Sequence, residues 1–211
     1  MQLINIKNAL IVLGILIGIA FSTTPKLKDI YSNKTYYVLD TAKSKLHWNC
    51  MHFGELKFNR GTIITDNKGE PINANFSIDM TSVKNIDIEN KLLQGTLENV
   101  LKSAEFFNAN KFPLAQFESD TIYKIDNTNS YKFRGDYIIF DNGICATFEG
   151  TVKVEMDTLY MHAKNIIINR TDWGIYYLSA NNPKPKDEES GFVVSDTILI
   201  DAHIQAFKSL K

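Results

Sequence analysis

Cysteine is scarce in this 211-residue chain: Cys50 and Cys145 are the only two. That excludes a disulfide-rich scaffold and a cysteine-based zinc cluster. A single bridge and two buried free thiols both fit the apolar strand patterns in which they sit. A surplus of one charge sign is lacking too. Lys and Arg number 23, Asp and Glu 24, for a net charge of -1, which excludes a general attraction to nucleic acid or to an anionic membrane. Catalytic signatures are absent: there is no HExxH pair, no GxSxG elbow and no glycine-rich phosphate loop. His47, His52, His162 and His203 show no paired ligand spacing on one strand. His47, His162 and His203 fall on the polar parity of their segments, which predicts solvent exposure. No catalytic residue, metal ligand or required cofactor is therefore assigned. No proline-, glycine- or serine-rich linker divides the chain after Thr35, so its length fits one domain with tails.

One long apolar run is present, from Ala9 to Phe21 behind Lys7. It is short of the roughly 20 residues of a bilayer span and matches the core of an export signal. Ala20 and Ser22 supply small residues before a cut. The reading is a signal peptide or N-terminal anchor over residues 1–22, then a polar tether over 23–34. Either version places the remaining chain outside the cytoplasm, periplasmic or extracellular.

From residue 35 onward the dominant pattern is alternation of apolar and polar residues, the period of strands with one buried face. Leu46, Trp48 and Cys50 alternate with His47 and Asn49, and Phe76, Ile78 and Met80 with Ser77 and Asp79. Longer runs follow over Tyr131 to Ile139 and Ala146 to Met156. In the last run, from Phe192 to Ala206, Asp196 interrupts the apolar face. Eight or nine strands result. Asp66-Asn67-Lys68-Gly69, Asp126-Asn127-Thr128-Asn129 and Asp141-Asn142-Gly143 read as turns, and such short connections imply antiparallel neighbours. Ile88 to Phe107 breaks the pattern: its leucines recur at three- and four-residue spacing, predicting one or two short helices with Gly95 as an interruption.

Many antiparallel strands with one helical insertion either close into a barrel or split into a sandwich. The long strands favour closure, which removes exposed edges. The expected fold is all-β: an extended antiparallel eight-stranded, lipocalin-like barrel with a short helical insertion. Its interior is rich in rings, since the chain holds 13 Phe, 9 Tyr and 2 Trp. They either fill the barrel or line a tunnel with room for an apolar chain.

Three blocks in register resemble the YceI-like family, also called polyisoprenoid-binding and lipocalin-like. The first is Tyr37-Val38-Leu39-Asp40 followed by Ser44, Leu46, Trp48, His52, Gly54 and Gly61-Thr62-Ile63. The second comprises Ser77-Ile78-Asp79-Met80, Leu101-Lys102-Ser103-Ala104-Glu105-Phe106-Phe107, Phe112-Pro113 and Phe117-Glu118-Ser119. The third is Asn169-Arg170-Thr171-Asp172-Trp173-Gly174-Ile175, and the last strand matches the family's closing strand. The resemblance runs over 35–207. Departures include Asn99 where a histidine is usual, Asn169 in place of an acid, and the loss of a threonine-lysine turn near Gly143.

What the resemblance implies is a non-enzymatic binder that transports or sequesters a long apolar ligand in the cell envelope: an isoprenoid quinone, a polyprenyl chain or another lipid. Trp48, Phe76, Ile78, Phe107, Phe117, Phe133, Phe148 and Trp173 are the expected ligand neighbours, and Arg170 with Asp172 a structural polar corner. The rival reading is an envelope structural or protein-interaction domain with a filled barrel. A further rival is a hydrolase or metal-dependent enzyme drawing on His47 or His162. Two partners stay open at this point, a membrane reached through residues 9–21 and a second copy of the chain in a homodimer.

Overall fold

The computed structural model describes residues 34–183 and 192–209. The expected export segment and nearly all of the tether lie outside them. Nine strands follow in order: β1 (Thr35–Leu39), β2 (Lys45–Cys50), β3 (His52–Thr65), β4 (Pro71–Asn85), β5 (Leu114–Lys124), β6 (Ser130–Ile139), β7 (Asn142–Glu155), β8 (Thr158–Asn169) and β9 (Thr197–Lys208). A single helix, α1 (Lys91–Lys102), stands between β4 and β5, and a one-turn 3-10 helix (Arg170–Trp173) follows β8.

The nine strands occupy eight positions. β1 pairs with the far part of β3, through Val38↔Thr62, and with β9 through Val38↔Phe207. β2 pairs with the near part of β3, through Trp48↔Gly54, and with β9 through Trp48↔Ile200. The two thus lie end to end in one slot between β3 and β9. Asp40 makes the break, its Oδ1 accepting from the amides of Ala42 at 3.0 Å and Lys43 at 3.3 Å. Ser44 then stitches the corner to β9, its hydroxyl donating to Gln205 O and accepting from Gln205 N. From β9 the order runs β8, β7, β6, β5, β4, and β4 returns to β3. Every neighbour is antiparallel and the sheet is closed, as an eight-position barrel.

Inward residues form one continuous core, from Leu39 and Ile63 at one end to Val83 and Ile198 at the other. The alternation is interrupted where bulges reset it. In β8 the buried series Leu159, Met161, Ala163 resumes at Ile166, because Lys164 and Asn165 form a register shift. Asn165 takes a φ of 54°, and its amide donates to Asp201 at 2.7 Å. β3 shifts likewise between Phe58 and Arg60. Such extra residues raise local twist and bend the strand, which a small barrel needs. Gly54 serves a close approach: a Cβ there would sit 1.9 Å from Lys84 O and 2.7 Å from the Trp48 ring. Glycine lets the indole lie flat across β3.

The β6–β7 turn falls one residue earlier than the sequence reading, on Phe140 and Asp141, both at positive φ. A bulky residue rarely adopts that conformation; here the Phe140 ring packs on Phe112 at 5.1 Å. The thiols are free. Cys50 is half-buried and Cys145 is exposed, so burial of the second thiol is corrected: Cys145 pairs with Asp136 on the outward parity of β7.

Candidate functional site

The barrel is not filled. A cavity of about 640 Å³ runs through its interior under α1. Trp48, Phe76, Phe117 and Phe148 supply its aromatic wall, and Ile78, Met80, Ala115 and Met161 its aliphatic one. Phe117 stands 5.1 Å from Phe148 and 6.4 Å from Phe76, ring to ring. Met51, Leu93 and Phe192 belong to the lining and are also more than half exposed, so the cavity reaches the surface beside the β2–β3 hairpin and the N-terminal half of α1.

The helix closes most of that end, and its own sequence places it there. Asn90 caps it, with Oδ1 accepting from Leu92 N at 3.0 Å and Leu93 N at 3.2 Å. Leu93, Leu97, Val100 and Leu101, three and four residues apart, turn to the cavity. Gly95 has open space around it and leaves the helix unbroken. Asn85, fully buried at the end of β4, fastens the helix. Its amide donates to Glu98 Oε1 at 3.0 Å and its carbonyl accepts from Gln94 Nε2. Beyond the helix, Phe106 and Phe107 plug the same end in edge-to-face contact at 4.8 Å.

The structure brings six of the eight expected ligand neighbours into the lining: Trp48, Phe76, Ile78, Phe107, Phe117 and Phe148. Two stand elsewhere. Phe133 is fully buried one layer back, stacked on Phe148 at 4.9 Å. Trp173 packs in the 3-10 turn and donates to Asn142 O at 2.9 Å. The sequence reading missed Val83, the inner face of α1 and Tyr137. The three- and four-residue spacing of the leucines was the available signal for the helix.

Polar groups are few along the cavity. Tyr137 is nine-tenths buried, its hydroxyl has no partner among the described residues, and burial pushes its titration far above the ordinary tyrosine value. The indole N–H of Trp48 also lacks a partner among them. Burial raises the Cys50 thiol, partly offset by Arg170. At the opening, His52 Nδ1 stands 2.9 Å from Asp87 Oδ2. Burial works against the Asp87 charge, but hydrogen bonds from His52, Asn85 and the Phe53 amide hold its carboxyl below the usual range.

The polar corner exists with a different acid. Arg170, with no exposed surface, donates to Ser195 O at 3.0 Å, Ile175 O at 2.8 Å and Val194 O at 3.0 Å. Its ion partner is Asp196 at 3.0 Å. Asp172 is exposed. This also explains why Asp196 interrupts the apolar face of the last strand.

His47, His162 and His203 meet on the outer wall. His162 Nδ1 and His203 Nδ1 are 2.7 Å apart, and the His47 and His203 rings are 6.3 Å apart. Of the three, His162 is exposed and His203 half-buried; burial and then the neighbouring histidines lower the His203 titration. None of the three faces the cavity. Among the described residues no three His, Cys, Asp or Glu side chains converge to hold a metal.

Known proteins agree with this architecture. The structure is similar to that of BcnA from Burkholderia cenocepacia, with a TM-score of 0.62 at 21% identity, over 80% of this chain and 99% of that one. It is also similar to a polyisoprenoid binding domain from Saccharophagus degradans implicated in plant cell wall breakdown, with a TM-score of 0.56 at 13% identity, over 82% of this chain and 98% of that one. No curated protein matches the chain. The YceI-like domain profile matches residues 37–206, the barrel almost end to end, and the chain belongs to the YceI-like family.

Proposed function

We propose that the chain holds one long apolar molecule inside the barrel, an isoprenoid quinone, a polyprenyl chain or another lipid, and carries or sequesters it in the cell envelope without altering it. The supporting observation is the cavity itself: about 640 Å³ with walls built almost wholly of aromatic and aliphatic side chains. That volume lies within the usual range of small-molecule sites, roughly 300–1,000 Å³. Burying apolar ligand surface contributes about 25 cal/mol per Å², so a chain-like molecule binds well with little polar help. The Saccharophagus degradans relative, a polyisoprenoid binding domain, supports the class of ligand. Trp48, Phe76, Ile78, Phe107, Phe117 and Phe148 are the proposed contacts. A filled barrel, the premise of the interaction-domain reading, is not what these side chains build. Export through residues 1–22 belongs to the same proposal, as does retention at a membrane by the apolar run 9–21.

Native mass spectrometry of the purified chain, followed by organic extraction, tests this. The expected result is a discrete co-purifying mass of several hundred daltons, released only on unfolding. A bare chain mass that stays bare after incubation with quinones and polyprenols overturns it.

A further inference from the structure

The opening of the cavity carries a hydrogen-bonding device that packing does not require. His52 is the one ionisable side chain other than Cys50, Tyr137 and Tyr177 in the lining. It follows Met51, which alone turns the chain from β2 into β3 with a φ of 60°. Its Nδ1 faces Asp87 Oδ2 at 2.9 Å. Asp87 is itself fixed: its other oxygen, Oδ1, accepts from Asn85 Nδ2 and from the Phe53 amide at 3.3 Å. Asn85 is held in turn, its Nδ2 also donating to Phe53 O at 3.1 Å and its Oδ1 accepting from Ile88 N at 3.0 Å.

This arrangement decides the proton on the ring. An ionised carboxylate only accepts, so Nδ1 carries the hydrogen and donates it to Asp87. In the uncharged imidazole the second nitrogen, Nε2, is then a bare lone pair. Nε2 has no partner among the described residues, and the side chain is 45% exposed. A tautomer locked by a carboxylate in this way presents one acceptor at the rim of the cavity, away from the buried Trp48 N–H and Tyr137 hydroxyl.

We infer that His52, oriented by Asp87, receives the hydroxyl of a ligand whose apolar chain lies in the cavity, so the site selects hydroxyl-terminated chains over chains ending in an acceptor alone. The assignment rests on the lipid-binding reading above and names the polar end of that ligand. A chain alcohol and a prenylated hydroquinone share the chemistry. A ketone or quinone carbonyl does not, because two acceptors facing each other have no hydrogen to share.

The test exploits the fixed side of Asp87. In Asp87→Asn, the two donors at Oδ1 keep the amide oxygen where it is. The amide NH2 then faces His52 Nδ1 and forces the hydrogen onto Nε2, turning the acceptor into a donor. Affinities of Trp173→Phe and otherwise full-length chains for geranylgeraniol and geranylgeranylacetone are measured at pH 8.5, with emission of the remaining Trp48, in the cavity lining, as the reporter. The wild type in this background is expected to prefer the alcohol by about fivefold to tenfold, the worth of one net hydrogen bond. D87N is expected to abolish that preference, because a hydroxyl oxygen and a ketone oxygen both accept from an Nε2–H. His52→Phe, which has no ring nitrogen, is expected to bind both alike, and it covers the case in which D87N fails to fold. A prenylated hydroquinone in the same series shows which carrier of the hydroxyl is favoured, and either one exceeding the ketone is the expected result. Equal binding of alcohol and ketone by the wild type, or a preference that survives in both variants, overturns the inference and leaves the lipid-binding reading standing. Uptake of no probe by the wild type overturns both.

Discussion

Arg170 shows how one side chain ties a barrel end together. Its guanidinium has no exposed surface, bonds three backbone carbonyls and pairs with Asp196. It also lies 5.4 Å from the Phe106 ring, so the plug at the cavity end rests on it. Burial pulls its titration down and Asp196 pushes it back up; arginine remains charged under either influence. Arg170→Met keeps the length and removes every donor. Three carbonyls and a mostly buried carboxylate are then left without their cation, a loss of about 3–5 kcal/mol. The expected readout is a lower urea midpoint with an unchanged slope. This corner was partly legible. The Arg-Thr-Asp-Trp-Gly run marked the place, but Asp172 was the nearer acid in sequence and the wrong one. Asp196, breaking the apolar parity before β9, was the clue. Pairing it with Arg170 needs the end of β8 and the start of β9 side by side, which local pattern does not supply. Phe133 was misplaced for a related reason: strand parity says that a ring points inward, not whether another ring stands between it and the cavity.

At the scale of elements, strands were the readable part and their interruptions were not. Alternation located the long hairpins, because one buried face demands it. The bulges at Asn59-Arg60 and Lys164-Asn165 reset the parity; Gly61 stands beside the first, but no glycine announces the second. The break between β1 and β2, which makes nine strands fill eight positions, is likewise set by how Asp40 and Ser44 bond. The helix was visible from its leucine spacing, but its role as one wall of the cavity was not. That role gives it a separable stability. α1 is held by its Asn90 cap, by Asn85 and by four apolar side chains over a partly empty interior, fewer contacts than a strand within the sheet. Asn90→Ala removes the acceptor of two amides and is expected to cost about 1 kcal/mol. Hydrogen exchange is the measurement: amides of residues 91–102 should exchange about fivefold faster, while those of β6 and β7 stay unchanged. Uniform acceleration across the barrel would show that the helix opens only with the whole fold.

For the whole molecule, the question posed by the aromatic-rich sequence was whether the barrel is solid or hollow. Composition and periodicity could not answer, because a packed ring and a cavity-lining ring occupy the same strand parity. The answer lies in how many large side chains share each layer, and there small ones stand beside them: Ala115 opposite Ile78, and Ala202 opposite Leu46 and Ala163. Ala115 and Ala202 border the cavity. Ordinary cores resist added volume, at a cost of about 1–3 kcal/mol, but a core with about 640 Å³ of free space does not. The double substitution Ala115→Phe with Ala202→Phe should therefore leave the urea midpoint unchanged or raise it, since new apolar contacts replace empty space. The same rings occupy the room of the proposed ligand chain. Affinity for a C20 prenyl alcohol is expected to fall at least tenfold, while the C10 homologue, needing less of the tunnel, loses about threefold or less. Stability held together with a shortened optimum separates a cavity that exists to be occupied from a packing fault. A fall in stability with no change in chain-length preference would place the binding site elsewhere.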